Sequence, residues 1–425
     1  MRFPRVARIR QHFPDHSIQD IPATLRQRLH EAGLASALPP GSSVAIAAGS
    51  RGISNIATIV RTVADYWRES GMRPFIFPAM GSHGAATAAG QANVLAHYGI
   101  TEAAMGCPIV SQLDVVSTGT SAAGIETYVD KAAFESAGIM LVNRVKWHTD
   151  FHGEIESGLF KMMAIGLGKF AGARRYHTHA FRMGLEAMIL EVGRQILATG
   201  KILGGVAIVE DANHHTAEIA VLPAADFERR EKELLAKAKA WKPRIPVPAV
   251  DILTVDEMGK NISGTGMDTK VVNRGVQGEY NPWPDTPLVT RLFVRGLTEE
   301  TEGNGVGIGM ADITTSRLLR RINWGMTNLN ALTSGPLASV RAPLHYETDR
   351  KCLETLWPTV GKLDLGDVTY CRIRNTLELG RAVISENLLE AALRNGRAEL
   401  LGEPAEMRFD ADGNLLEELG PEQDW

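Results

Sequence analysis

Histidine is the residue type with most to say in this chain. Of its twelve histidines, five fall where polar turns are expected: His83 in Gly81-Ser-His-Gly84, His148 and His152 in Trp147-His-Thr-Asp-Phe-His-Gly153, and His177 and His179 in Tyr176-His-Thr-His179. Imidazole changes charge near neutral pH and ligates metals when neutral, so it suits a general base or a metal ligand. A turn histidine can equally donate to a backbone carbonyl and do no chemistry. Lys161 is the second candidate, set in the apolar, glycine-rich run Gly158-Leu-Phe-Lys-Met-Met-Ala-Ile-Gly-Leu-Gly168. Such a lysine either snorkels to water or sits in a dry pocket, where desolvation makes the amine nucleophilic and a point of covalent attachment. His177 lies sixteen residues further on, past Gly166, Gly168, Gly172 and the pair Arg174-Arg175. Arg51, in Gly49-Ser-Arg-Gly52, comes just before an expected helix. Backbone N–H groups favour anions there, and a guanidinium grips a carboxylate with two bonds.

The elements that must position these residues repeat one pattern. Ser43–Ala48, Pro74–Ala79 and Gly138–Val145 read as buried strands, and Asn55–Ser70 and Thr87–His97 as amphipathic helices stopped by Gly71 and near Gly99. Strands alternating with helices imply a mostly parallel sheet covered on both faces, which binds ligands at the carboxyl ends of its strands. The polar turns lie on that edge, so their side chains can converge. A helix Ala180–Thr199, a strand Gly205–Glu210 and a helix Asp226–Trp241 follow, and Lys242–Val250, with three prolines, reads as a linker. A second unit opens with Asp251–Asp256 and the loop Gly259–Asp268, which has neither P-loop nor dinucleotide-fingerprint spacing. The expected fold is α/β, two domains with mostly parallel sheets and an active-site cleft between them. Residues 1–245 form the first domain and 246–400 the second, which closes over the cleft. A tail of about 400–425, strand-like at Ala405–Phe409, is expected to return to the first.

Composition narrows the function classes. A chain of 425 residues, 44% hydrophobic and 22% charged, is an ordinary globular protein of two or three domains. A net charge of −4 with scattered basic residues gives no nucleic-acid footprint. No run approaches the roughly 20 apolar residues that span a bilayer. Cys107, Cys352 and Cys371 lie far apart, which argues against a disulfide framework or a thiolate zinc site and fits a reducing compartment. No apolar stretch follows the basic start Met1–Arg10, so no signal peptide is expected and a cytoplasmic location is.

Taken in order, these pieces resemble the lactate racemase family, whose members carry a nickel-pincer nucleotide. The resemblance covers roughly residues 40–210 and, beyond them, a shared two-domain outline. It implies that Arg51 grips the substrate and that His83, in Met80-Gly-Ser-His83, and His148 are the catalytic histidines. It also implies that Lys161 is the covalent attachment point of the cofactor, and that His177, at the family's spacing, binds both cofactor and nickel. His152 is a further candidate for the role of His148, because this chain is about three residues longer between His148 and Lys161. The family's glutamine and lysine of the second domain are missing from Asn261–Asp268. Lys260, Asp268, Lys270 and Arg274 are the residues nearby with chemistry to replace them. The activity implied is racemisation or epimerisation of a 2-hydroxyacid or sugar acid by reversible hydride transfer. The partners implied are that small molecule and the enzymes that make the cofactor, without nucleic acid or membrane. Two rivals are a nicotinamide-dependent hydroxyacid dehydrogenase, disfavoured by the missing fingerprint, and a cofactor-free binding protein that kept the fold.

Overall fold

The computed structural model of the chain describes residues 3–49, 52–394, 396–416 and 419. Arg51 therefore lies outside the described residues. The chain divides into two compact units, residues 14–242 and residues 1–13 with 243–425. The opening strand, β1 (Arg5–Gln11), thus belongs with the second half of the sequence and not with the first domain expected for residues 1–245.

In the unit 14–242, β2 (Ser43–Ala48) and β3 (Arg73–Pro78) are followed by a hairpin of β4 (Val115–Thr120) and β5 (Glu126–Asp130). Then come β6 (Gly138–Arg144), β7 (Ile202–Glu210) and β8 (Thr216–Pro223). The main sheet runs β3-β2-β6-β7-β8, parallel throughout except that β8 turns back along β7. Side chains alternate across a strand, and β2 shows what that does here. Val44, Ile46 and Ala48 face one core with the helices Ile21–Ala32 and Ile56–Glu69, while Ala45 and Ala47 face the other with Leu185–Leu197 and Phe227–Trp241. Both faces are buried, as a parallel sheet requires. The helix Ile56–Glu69 buries Ile56, Ile59, Val60, Val63 and Trp67, the stripe of a 3.6-residue period. The long helix expected over Ala180–Thr199 is instead two helices, Lys169–Met183 and Leu185–Leu197, parted at Gly184, whose φ of 87° a side chain would resist.

The other unit adds β9 (Ala249–Met258), β10 (Leu288–Leu297), β11 (Ile313–Thr315), β12 (Leu344–Tyr346), β13 (Tyr370–Ile373), β14 (Arg381–Ser385) and β15 (Ala398–Glu406). With β1 they form one sheet, ordered β12-β11-β10-β9-β13-β14-β1-β15. It is parallel from β12 to β13 and antiparallel from there on. The tail therefore does not return to the first domain. Residues 398–406 pair with β1, Arg5 opposite Glu406 and Gln11 opposite Ala398, because β1 buries Val6, Ala7 and Ile9 and both its backbone edges need partners. The expected strand Ala405–Phe409 stops at Glu406, and Phe409 instead forms an isolated bridge to Leu415. No helix among the described residues is long and apolar enough to cross a membrane.

Candidate active site

Lys161 ends a short helical turn, Leu159–Lys161, which passes through a π-helical turn, Met162–Leu167, into the helix Lys169–Met183. His177 and His179 thus stand on a helix and not, as expected, in a strand-end turn. The glycines that suggested a turn serve close contacts instead. A Cβ on Gly166 would meet the Ala79 carbonyl oxygen at 2.8 Å, and one on Gly168 or Gly172 would press on the Tyr176 ring at 2.9 or 2.8 Å. π-Helical turns of this kind recur at functional sites. Helical spacing sets Phe170, Arg174, His177 and Phe181 along one stripe, and this stripe is open: Phe181 is 72% exposed and Phe170 39%.

Lys161 and His177 are both half-buried, and they feel each other. The pKa of His177 lies below the ordinary value because burial disfavours the imidazolium and the Lys161 ammonium repels it, while the Asp150 carboxylate acts in the opposite direction. The three groups therefore share one neighbourhood, and its effect is to keep His177 neutral, the form that ligates metals. Lys161→Met is expected to raise the His177 pKa toward 6.5, read from the histidine C2–H resonance in a pH titration. An unmoved midpoint would separate the two residues.

Asp150 belongs to the loop that carries His148 and His152. The loop is folded around two carboxylates. Glu156, fully buried, accepts from the His148 N–H at 2.5 Å and the Gly153 N–H at 3.1 Å and ion-pairs with Lys239 at 2.5 Å. Glu186 accepts from the N–H groups of Glu154 and Ile155 at 2.7 and 3.0 Å. His148 is half-buried, its ring tilted on Phe151 with centroids 4.7 Å apart, and its Nδ1 accepts from the Asp150 N–H at 3.1 Å. A neutral ring held this way carries its proton on Nε2. His152 is more exposed, its Nδ1 4.0 Å from Glu156.

His83 stands past the carboxyl end of β3, exposed, and caps the 3-10 turn Gly84–Ala86. Ala85 and Ala86 both take φ 54°, a left-handed conformation that costs non-glycine residues of order 1 kcal/mol each. A Cβ on Gly84 would stand inside the backbone of Gly90, so only glycine closes this turn. The turn packs directly on the Lys161 segment, Gly81 against Ile165 and Ala173, and Ala79 against Gly166. Gly166→Ala would gain about 1 kcal/mol in helix propensity but overpack a contact with rigid backbone, at about 1–3 kcal/mol. A net loss of up to about 2 kcal/mol in urea unfolding is expected. An unchanged midpoint would mean that the two segments do not meet there.

The turn bearing Lys161 is itself fastened from below. Glu231, on the helix Phe227–Trp241, is fully buried, and its Oε2 accepts from the Leu159 and Phe160 N–H groups at 2.8 and 3.1 Å. Burial pushes its carboxyl up to about 8. Sequence reasoning missed Glu231, yet a signal existed: it lies on the apolar stripe Phe227, Leu234, Leu235 and Ala238 of its own helix. Gln91, buried beside Leu95 on the helix Ala88–His97, was legible in the same way.

In the other unit, the candidate residues divide. Lys260 is half-buried and donates to the Gly264 carbonyl at 2.6 Å. Asp268 caps the helical turn Thr269–Val272 by accepting from the Lys270 N–H, and Lys270 lies 5.0 Å from the centre of the Trp283 ring. Arg274 is buried, donates to the carbonyls of Val289, Asn273 and Thr290 and pairs with Asp312 at 3.1 Å.

The described residues of the unit 14–242 thus bring His83, Lys161, His177 and the His148 loop to one edge of a mostly parallel sheet. A separate cluster there with metal-ligand spacing, Asp15, Asp211 and His215, has its buried carboxylate occupied by the N–H groups of His16, Asn213 and His215. The protein is of the two-domain α/β class. No protein-family model and no curated protein sequence matches the chain. Among solved structures it is similar to the lactate racemase apoprotein from Thermoanaerobacterium thermosaccharolyticum, at a TM-score of 0.51 and 14% identity, over 92% of this chain and 97% of that one. At that identity the likeness is one of fold.

Proposed function

We propose that this chain is a racemase or epimerase of a 2-hydroxyacid or sugar acid, using a nickel-pincer nucleotide tethered to Lys161. The observation that carries this reading is the electrostatic neighbourhood of Lys161 and His177, sixteen residues apart, with Asp150 of the His148 loop. The residues fit the group. His177 is held toward its neutral form, the form that ligates metals, so it would offer one nitrogen donor to the nickel, while Lys161 would offer the amine for attachment. When bound, the cofactor supplies the acceptor and donor of the α-hydride.

The chain's own residues do the rest. Arg51, which follows β2 in the sequence, would fix the substrate carboxylate. His83 would take the hydroxyl proton as general base, while His148, its proton on Nε2, would donate on the opposite face. The roles exchange in the reverse direction. Two proton carriers on different turns suit a reaction that must run equally well from either enantiomer. Glu156 and Glu231 hold the His148 and Lys161 turns in place. The reading implies a cytoplasmic enzyme supplied by the cofactor's biosynthetic enzymes. Chain produced together with those enzymes is expected to contain nickel and a covalent mass adduct. If it shows neither, the reading is wrong.

A further inference from the structure

Lys169 opens the helix that carries His177. It is a fully buried lysine with φ 53°, at the junction between the π-helical turn and the helix of His177. Its Nζ donates to the Pro78 carbonyl at 2.8 Å and to Gln91 Oε1 at 2.9 Å, and lies 3.4 Å from Asp130 Oδ2. Two hydrogen bonds thus run to the end of β3 and to the helix Ala88–His97, and the carboxylate at the end of β5 adds an ion pair. Gln91, also fully buried, passes the connection on: its Nε2 donates to the carbonyls of Met80 and Gly81, at 3.2 and 3.1 Å. Those carbonyls belong to the turn that ends in His83.

We propose that Lys169, through Gln91, is the positioning residue for the His83 turn, locking it to the helix that carries His177. Burying an ion pair is costly, and apolar residues of the same volume often stabilise as well or better. A lysine kept here in a left-handed conformation therefore points to geometry as its purpose. The network reaches the polypeptide at Pro78, Met80 and Gly81, just ahead of the two strained alanines, Ala85 and Ala86. Strain of that kind persists only where the surroundings over-determine it. Gly81 also packs on Ile165 and Ala173, one helical turn either side of Lys169, and the bonds from Gln91 to the Met80 and Gly81 carbonyls add direction to that packing.

The proposal rests on His83 carrying a proton in the proposed reaction, but its first test does not. In the cofactor-free full chain, Lys169→Met is expected to speed amide hydrogen exchange over residues 79–91 by about tenfold or more, leaving Leu185–Leu197 unchanged. Gln91→Met, which leaves the Lys169–Asp130 pair and the bond to Pro78 in place, is expected to give the same pattern, and serves should Lys169→Met fail to fold. In the loaded enzyme, either variant is expected to retain the mass adduct and lower kcat by about 10²-fold with little change in KM. Exchange that is unaltered over 79–91, or raised evenly across the unit, would overturn the positioning role whatever the activity. A localised exchange effect in a chain that never loads cofactor would uphold it and refute the racemase reading alone.

Discussion

Lys161→Ala is expected to abolish the covalent adduct and to lower 2-hydroxyacid isomerisation by at least about 10³-fold, because attachment and reaction would depend on the same amine. The fold should survive. Lys161 is half-buried, and its turn is held by backbone donors to Glu231 and by Leu159 and Phe160, both fully buried. The companion variant His177→Ala separates tether from ligand: the adduct should remain while nickel is lost. Intact mass and metal content measured on the same preparations decide the matter. An adduct that persists in Lys161→Ala would move the attachment elsewhere. Nickel retained at full occupancy in His177→Ala would remove that imidazole from the metal.

The second large effect concerns stability. Glu231 is fully buried, its Oε1 has no partner among the described residues, and its carboxyl is pushed from 4.5 up to about 8 by burial, against the two N–H groups that favour the charged form. A raised carboxyl pKa means that the folded chain holds this proton over an interval in which the unfolded chain has lost it. Stability from this group is therefore fully present below about pH 4.5 and falls as pH rises toward about 8. The interval corresponds to roughly 5 kcal/mol as an upper bound. Glu231→Gln keeps an oxygen for the Leu159 and Phe160 N–H groups and cannot ionise. Relative to wild type it should be near neutral at pH 5 and more stable by a few kcal/mol at pH 9, as urea midpoints would show. Parallel pH profiles for the two proteins would mean that Glu231 ionises without cost. That would contradict its burial.

These two sites also show where the sequence was readable. The strands β2, β3 and β6 and the helix Ile56–Glu69 announce themselves by period and by their stops at glycine, and the histidine turn after β3 follows from them. The segment from Gly166 to Gly172 misled because glycine has two uses, conformational freedom and the absence of a Cβ. Here the second applies, and it turns an expected loop into a helix packed on backbone. β1 alternates poorly, with Arg5, Arg8 and Arg10 among its residues, and its partner β15 lies nearly four hundred residues away, so no local pattern could pair them. Arg274 could have been a substrate ligand or a buried clamp. Apart from Asn273, its partners Val289, Thr290 and Asp312 lie 15 or more residues away in sequence. Glu231 and Gln91 were legible as polar residues on apolar helical stripes, but nothing local told what they hold.

The central claim is that the α-hydrogen leaves and returns as hydride within the site. The most direct test uses cofactor-loaded protein and a panel of enantiopure 2-hydroxyacids and sugar acids deuterated at the α-carbon. The account predicts that at least one is converted to its epimer with the deuterium still on that carbon and without accumulation of keto acid. Epimerisation with deuterium lost to water would contradict it, as would nickel-loaded protein that leaves the whole panel unchanged.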